Sequence, residues 1–314
     1  MRIRRCGYSG LAVSELGLGT LTWGRDTEVH EAEAMLTSFV SAGGNLLELS
    51  PTHGDGQAVD VLASLLPVVG RHRTAIVWRG AARLGHDGRW HPSAARGDML
   101  ACLDDALERL GTDHVDVWLA APDPTTPLEE TLSALDVAWR SGRTRYVGTT
   151  HLGTWDTATA RARGATPDGL HGVPVLVEEA YSLVDRRIET ELLPGVVGSG
   201  LGLLAHSPLA GGVLTGKYRR STPPDSRAAS PHLRQLVDPY LGPRHAGVVE
   251  AVVRAAEGLG RTPLDVALTW VRDAPGVTAA VVGPRTARQL DQVLEGGEAL
   301  PAQIRQVLDE VSRV

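Results

Sequence analysis

Residues 205–218 read Ala-His-Ser-Pro-Leu-Ala-Gly-Gly-Val-Leu-Thr-Gly-Lys-Tyr and follow the apolar segment 201–204, which is typical of a buried strand. Glycines beside hydroxyl-bearing residues let backbone N–H groups approach a phosphate closely, and Lys217 adds a positive charge at the end of the loop. Small polar residues also occur in loops because tight turns require them. By itself, the stretch therefore predicts either a phosphate-binding loop or an ordinary turn after a strand.

The same order, a short apolar segment and then a helix-periodic one, occurs eight times without a change of composition that would mark a linker. Strands alternating with helices indicate a parallel sheet, and eight such units in 314 residues favour a closed (β/α)8 TIM barrel, an α/β fold. We predict one domain over residues 1–314, with an N-terminal hairpin and a C-terminal helix at about 302–311.

The predicted elements place the functional loops. The first strand is predicted to end near residues 18–20, and the others lie at 45–49, 74–78, 115–119, 146–148, 175–177, 201–205 and 277–282. Helices are predicted at 28–42, through 59–65, and at 94–110, 127–139, 154–162, 188–199, 248–259, 264–272 and 287–294. Segment 219–243, rich in serine and proline, is predicted to be a long loop over the mouth of the barrel. Active sites of such barrels lie in the loops after the strands.

Composition limits the partners and the compartment. The chain has 42% hydrophobic residues, a formal charge of −6 and two cysteines, which is typical of a globular protein without a disulfide framework or metal cluster. The negative charge argues against a nucleic-acid or membrane partner, and there is no apolar run of about 18 residues. We expect a cytoplasmic protein acting on a small molecule, and the oligomeric state stays open.

Several motifs together resemble the aldo-keto reductases over nearly the whole chain. They are segment 14–20 (Ser-Glu-Leu-Gly-Leu-Gly-Thr), Gly54 and Gly56, segments 122–131 and 148–150, the loop at 206–218, and segment 283–290. The resemblance implies a barrel that binds NADP(H), with the loop at 206–218 around the pyrophosphate and Arg285 on the adenosine 2′-phosphate. It implies cofactor-binding positions at Gly19, Thr20, Thr150, His151, Glu178, His206, Ser207, Leu209, Gly211, Lys217, Gly283, Arg285 and Gln289.

The catalytic positions depart from that family's pattern. Members use a tyrosine acid, a lysine paired with an aspartate, and a histidine that orients the substrate carbonyl. Here the aspartate position is Glu48, the tyrosine position is His53 and the lysine position is Arg79. The histidine position falls at Ala120-Ala121, where the chain is one residue short. Lys217, in the predicted phosphate loop, is the single lysine among 31 lysines and arginines, so no second amine replaces the missing one.

His53 is therefore our candidate acid/base, since an imidazole titrates near pH ~6.5 without help. Glu48 is expected to orient the imidazole, and Arg79 is expected to stabilise an oxyanion because its charge is permanent. A metal site formed by Glu48, His53, His151 and His206 is a further possibility, but their spacing cannot test it and we predict no metal.

Three functions stay open at this point. The first is a divergent oxidoreductase that binds NADP(H) and acts on a small carbonyl or alcohol through His53, Glu48 and Arg79. The second is a redox-neutral dehydratase, cyclase or isomerase on the same barrel, with Glu48, His53, Glu178 and Glu179 as its acid/base groups. The third is a catalytically inactive nucleotide-binding protein that has kept the fold. The substrate itself is not readable from the sequence.

Overall fold

Eight parallel strands close into a barrel in the computed structural model, which describes residues 1–166, 169, 170 and 172–313. In chain order the strands are β1 (Ile3–Arg5), β2 (Ala12–Ser14), β3 (Leu16–Gly19), β4 (Leu46–Leu49), β5 (Ala75–Arg79), β6 (Ala82–Leu84), β7 (Trp90–Pro92), β8 (Val115–Ala120), β9 (Thr144–Thr150), β10 (Ala165–Thr166), β11 (Gly169–Leu170), β12 (Pro174–Ala180), β13 (Gly202–His206) and β14 (Val277–Val282). The barrel runs β3-β4-β5-β8-β9-β12-β13-β14 and closes by pairing β14 with β3. The predicted (β/α)8 TIM barrel is confirmed.

Helices follow the barrel strands and cover their outer faces. They are α1 (Val29–Ser41), α2 (Ala58–Val69), α3 (Arg96–Leu110), α4 (Leu128–Arg140), α5 (Thr154–Gly164), α6 (Leu192–Gly198), α7 (Pro243–Leu259), α8 (Pro263–Arg272), α9 (Ala287–Leu294) and α10 (Ala302–Ser312). The predicted C-terminal helix is α10. Among the described residues, the structure contains no helix that is both long enough and apolar enough to cross a membrane.

The barrel interior changes from apolar to polar along its axis. Side chains along a strand point alternately to the interior and to the surrounding helices. In the middle of the strands the interior positions form one apolar cluster, which includes Leu46, Val77, Leu119, Leu176, Leu204 and Val281. Two residues further on, at the same strand faces, the interior positions are Glu48, Arg79, Glu178 and His206. The charged and titratable side chains of the barrel interior therefore lie at its carboxyl end.

The opposite end of the barrel is covered by the predicted N-terminal hairpin, formed by β1 and β2. Cys6, Leu11 and Val13 of the hairpin segment belong to the same apolar cluster as the interior residues of the strands. Arg4 fixes the hairpin by an ion pair with Glu15, 3.1 Å away. The hairpin and its ion pairs thus close the end of the barrel away from the loops that follow the strands.

Two predicted boundaries shift in the structure. Helix α7 begins at Pro243 rather than at residue 248, because proline is favoured at the first position of a helix, where its missing N–H is not needed. The predicted helical segment at 188–199 is divided into a single 3-10 turn, Arg187–Glu189, and the short helix α6. Segment 219–243 is confirmed as a long connection, with three 3-10 turns and no longer element before α7.

Candidate active site

A cavity of about 690 Å³ lies at the carboxyl end of the barrel and extends between the loops after β3, β13 and β14. Its volume falls within the range of about 300–1,000 Å³ that is usual for small-molecule and cofactor sites. Most of the residues predicted from the sequence line it: Gly19, Glu48, His53, Arg79, His151, His206, Ser207, Leu209, Gly211, Lys217, Gly283, Arg285 and Gln289. The structure therefore brings the catalytic and cofactor candidates into one space.

His53 is held by two neighbouring strands. Its Nδ1 lies 3.0 Å from the Thr20 hydroxyl, which is itself 3.1 Å from the carbonyl oxygen of Glu48. A carbonyl oxygen can only accept, so the hydroxyl donates its one hydrogen there and its oxygen accepts the Nδ1–H of His53. Nε2 is then the unprotonated nitrogen, and it lies 3.6 Å from Oε1 of Glu48. This assignment makes Nε2 a proton acceptor at the edge of the cavity.

Burial keeps the His53 imidazole neutral. The side chain is 2% exposed, and this loss of solvation lowers its pKa to about 4, against the attraction of Glu48 and together with the repulsion of Arg79. The expectation that His53 titrates near its ordinary value is therefore wrong for the protein without a ligand. At neutral pH His53 can accept a proton but carries none to give beyond its Nδ1–H.

Arg79, at the end of β5, lies between two buried carboxyl groups. Its Nε is 3.3 Å from Oε1 of Glu48, and its Nη1 is 3.7 Å from Oε1 of Glu178. Burial and the nearby Glu48 raise the pKa of Glu178 to about 8, although Arg79 acts in the opposite direction. Arg79 is thus the counter-charge of two carboxyl groups, and Glu178 holds a proton at neutral pH.

Two further imidazoles, those of His151 and His206, line the cavity next to β9 and β13. The rings of His151 and His206 meet edge to face with their centroids 5.0 Å apart. His151 also lies 3.4 Å from Glu179, and His206 Nδ1 lies 3.1 Å from the Ser207 hydroxyl. Burial, with repulsion from Arg79, lowers the pKa of His206 well below its usual value. Its buried Nε2 has no hydrogen-bond partner among the described residues.

The cavity is also lined by a group of cations. These are Lys217, Arg227 and Arg285, and Nη2 of Arg227 donates to the carbonyl oxygen of Gly283 over 2.6 Å. Burial lowers the pKa of Arg227, and the charge of Arg285 lowers it further. Burial also lowers the pKa of Lys217, with the same two arginines acting in that direction. Burial and mutual repulsion make it unfavourable to hold these three positive charges together. A bound anion would reduce that repulsion.

The backbone of the loop at 206–218 passes close to the amine of Lys217. Gly211 and Gly212 have φ values of 66° and 94°, which side chains adopt only with strain. A Cβ on Gly212 would lie 2.8 Å from Nζ of Lys217. Ser207 and Ala210 also have positive φ, at 55° and 48°, and such strain concentrates at functional sites. The geometry therefore fits the phosphate-loop interpretation of the sequence better than an ordinary turn.

Three predicted cofactor positions, Thr20, Thr150 and Glu178, are not among the residues that line the cavity. Thr20 contacts His53, while Thr150 and Glu178 are fully buried beside each other in the ladder of β9 and β12. Their assignment to cofactor binding stays a prediction. Sequence reasoning missed Arg227 and Tyr240, which both line the cavity from segment 219–243. One signal for Arg227 was present in the sequence, which is its position in a loop predicted to cover the mouth of the barrel.

Tyr181 does not supply a phenol to the cavity. Its hydroxyl donates to Glu189 over 2.7 Å and its ring packs against Trp270, so it belongs to the wall of the barrel. In the part of the chain that the structure describes, no group of three or more histidine, cysteine, aspartate or glutamate side chains is arranged to hold a metal ion.

Fold and site together define a (β/α)8 barrel with a glycine-containing loop after its seventh strand and titratable side chains at the carboxyl end of its interior. Comparison with known proteins agrees: the sequence profile of the Aldo/keto reductase family matches residues 15–311. The chain is 30% identical to a probable voltage-gated potassium channel subunit beta of Oryza sativa subsp. japonica and to one of Arabidopsis thaliana. Each alignment covers 100% of this chain and 96% of the relative.

The chain therefore belongs to the aldo/keto reductase family, as the sequence motifs indicated. Membership in this family points to an oxidoreductase.

Proposed function

We propose that this protein is an oxidoreductase that binds NADP(H) and acts on a small carbonyl compound or the corresponding alcohol, with His53, Glu48 and Arg79 in place of the usual catalytic residues. The observation that carries the proposal is the division of charge within one cavity. All of these groups line the same cavity: Lys217, Arg227 and Arg285 form one group of cations that act on each other electrostatically, and Glu48, His53 and Arg79 form a second group.

The residues present fit such a coenzyme. The glycine loop and the crowded cations suit its phosphates, since backbone N–H groups and a lysine or arginine bind phosphate oxygens well. Arg285 and Arg227 would hold a 2′-phosphate, and Lys217 with Gly211 and Gly212 would hold the pyrophosphate. When bound, the coenzyme supplies or accepts a hydride at the substrate carbon.

The proton is handled by this chain's own groups. Nε2 of His53 accepts the hydroxyl proton of an alcohol substrate, and the imidazolium that forms is stabilised by Glu48 at 3.6 Å. In the opposite direction the imidazolium returns that proton to the oxygen. Arg79 stabilises negative charge on the same oxygen by its permanent positive charge. Thr20 keeps the imidazole in one tautomer throughout.

Two measurements test the proposal. Fluorescence titration with NADPH should give saturable binding that weakens about tenfold or more in Arg285→Ala, because one phosphate contact is lost. Reduction of NADP⁺ with a panel of small alcohols should slow by about 100-fold in His53→Gln, the usual contribution of a general acid/base. An unchanged rate in His53→Gln would remove that residue from the chemistry.

The other two functions have their own outcomes in the same experiments. Product formation without change in the absorbance of the reduced coenzyme would indicate a redox-neutral enzyme using Glu48, His53, Glu178 and Glu179. Binding of NADPH without turnover of any tested compound, and without an effect of Glu48→Gln on binding, would indicate a nucleotide-binding protein. Absence of binding to either coenzyme would overturn the proposal.

A further inference from the structure

Glu178 is a carboxyl group without a full partner. Its side chain is completely buried at the end of β12, and neither carboxylate oxygen has a hydrogen-bond partner among the described residues. The nearest cation, Arg79, lies 3.7 Å from it but only 3.3 Å from Glu48. A buried charge is stable only when it is paired and hydrogen-bonded. The ionised form of Glu178 therefore lacks a counter-charge of its own.

The charged and titratable groups around Glu178 do not supply that counter-charge. Glu48 and Glu179 repel its ionised form, and Arg79 is shared with Glu48. The pKa values of His53 and His206 are lowered by burial, so both imidazoles are neutral at neutral pH. His151 lies against Glu179 rather than Glu178. Among the described residues, Arg79 is the one cation that acts on Glu178, so a second positive charge beside it would come from a ligand.

The proposed coenzyme can bring such a charge. Its phosphates would lie against Lys217, Arg227 and Arg285, and its nicotinamide would reach the part of the same cavity that Arg79 and His206 line. The oxidised nicotinamide ring carries a positive charge, whereas the reduced ring is neutral. The two redox states would therefore differ by one unit of charge beside Arg79, which lines the cavity and lies 3.7 Å from Glu178.

We propose that Glu178 sets the preference of this protein for the oxidised coenzyme, by losing its proton and stabilising the positive nicotinamide ring as a carboxylate. This inference rests on the proposed function, because it requires the coenzyme to bind. It adds that NADP⁺ binding releases a proton from Glu178 to solvent, whereas NADPH binding leaves that proton in place. The protein is then adapted to oxidise its substrate, with His53 Nε2 as the proton acceptor.

The pH dependence follows from linkage. In the free protein the pKa of Glu178 is raised to about 8, so below this pH NADP⁺ must first displace a proton. Affinity for NADP⁺ therefore rises with pH up to about 8 and then levels off, while affinity for NADPH has no such contribution. Titration of Lys217 or of the coenzyme phosphate alters both affinities alike. The ratio of the two dissociation constants isolates the effect of Glu178.

The experiment measures that ratio, Kd of NADPH over Kd of NADP⁺, at pH 6 and pH 9. In the unmodified protein it should rise about tenfold or more, because one unit of pKa coupling is a factor of about ten in binding. In Glu178→Gln, which has nearly the same shape and no charge, the ratio should not change with pH. The control Glu250→Gln removes an exposed carboxylate on α7 and should behave like the unmodified protein.

Calorimetry gives a second readout that needs no variant. At pH 7, the binding enthalpy of NADP⁺ should depend on the ionisation enthalpy of the buffer and indicate release of up to one proton, whereas that of NADPH should not. If both coenzymes bind with a pH-independent ratio and without this difference in proton release, the role of Glu178 is wrong and the proposed function stands. If neither coenzyme binds, the proposed function itself fails.

Discussion

The hydroxyl of Thr20 lies 3.0 Å from Nδ1 of His53 and joins the imidazole to the carbonyl oxygen of Glu48. This contact connects the ends of two adjacent strands, β3 and β4, which are paired in parallel. The acid/base candidate is therefore oriented by its neighbouring strand rather than by a carboxylate. Nε2, the ring nitrogen towards Glu48, is unprotonated because Thr20 accepts the hydrogen on Nδ1.

We expect Thr20→Val to damage this arrangement while keeping the shape of the side chain. The buried Nδ1–H of His53 would lose its acceptor, which costs about 1–3 kcal/mol of unfolding free energy. Denaturant unfolding measures this loss, and turnover should fall as well because the tautomer is no longer fixed. Thr20→Ser is the matched control, since it retains the hydroxyl and should recover most of both properties.

We expect the stability of the protein to fall between pH 6 and pH 9 because of Glu178. Its folded pKa is raised to about 8 from an ordinary value of 4.5, so from pH 6 to about pH 8 the folded state holds a proton that the unfolded chain has released. The stability linked to that proton is lost as the pH rises through the folded pKa. Denaturant unfolding at several pH values measures the slope.

Glu178→Gln should flatten that slope. At pH 9 its free energy of unfolding should be at least about 1 kcal/mol higher than that of the unmodified protein, since one pKa unit is worth about 1.4 kcal/mol. Glu250→Gln, at an exposed ion pair with Arg219, should leave the slope unchanged. Equal slopes in the unmodified protein and in Glu178→Gln would mean that Glu178 is not protonated in the folded state at neutral pH.

The fold was readable from the sequence because its signals are local. Each barrel strand is a short apolar run, each helix has an apolar face, and the predicted eighth strand at 277–282 matches β14. The position of Pro243 also marks the start of α7, although apolar periodicity begins only at Val248. Periodicity registers packing against the barrel, so it missed the exposed first turn of this helix.

The site was predictable in part. The ends of the predicted strands indicate which residues lie close together, but they do not indicate how buried or charged the surroundings of those residues are. Glu48, His53 and Arg79 were predicted together and do line one cavity. The lowered pKa of His53 and the raised pKa of Glu178 come from burial and from charges on other strands, which no local pattern encodes. Arg227 was missed for a related reason, because a long loop carries it back over Gly283.

We expect Gly212→Ala to weaken binding of both NADP⁺ and NADPH by about tenfold, since the new Cβ would displace the Lys217 amine, now 2.8 Å from that position. The φ of 94° adds backbone strain of about 1 kcal/mol. Fluorescence titration measures the affinity. Gly242→Ala is a suitable control, because a Cβ there meets nothing within 4 Å. Unchanged affinity in Gly212→Ala would place the phosphates elsewhere.

We expect Arg79→Met to be strongly destabilising, and more so at pH 9 than at pH 6. Without the guanidinium, Glu48 and Glu178 would face each other without a cation, and a buried charge left unpaired costs about 3–5 kcal/mol. At pH 6 the cost is smaller because Glu178 holds a proton in the folded state. Denaturant unfolding of Arg79→Met at the two pH values measures this difference.

A double-mutant cycle separates the ionic contribution of Arg79 from its packing. Arg79→Met combined with Glu178→Gln removes the cation and one of the carboxyl groups that it serves. If the two side chains interact through charge, the double variant is more stable at pH 9 than the sum of the single effects predicts, by about 1–3 kcal/mol. At pH 6 the coupling should shrink, because Glu178 is already neutral there. Additive effects at both pH values would mean that Arg79 acts only through its contact with Glu48, 3.3 Å away, and not through Glu178.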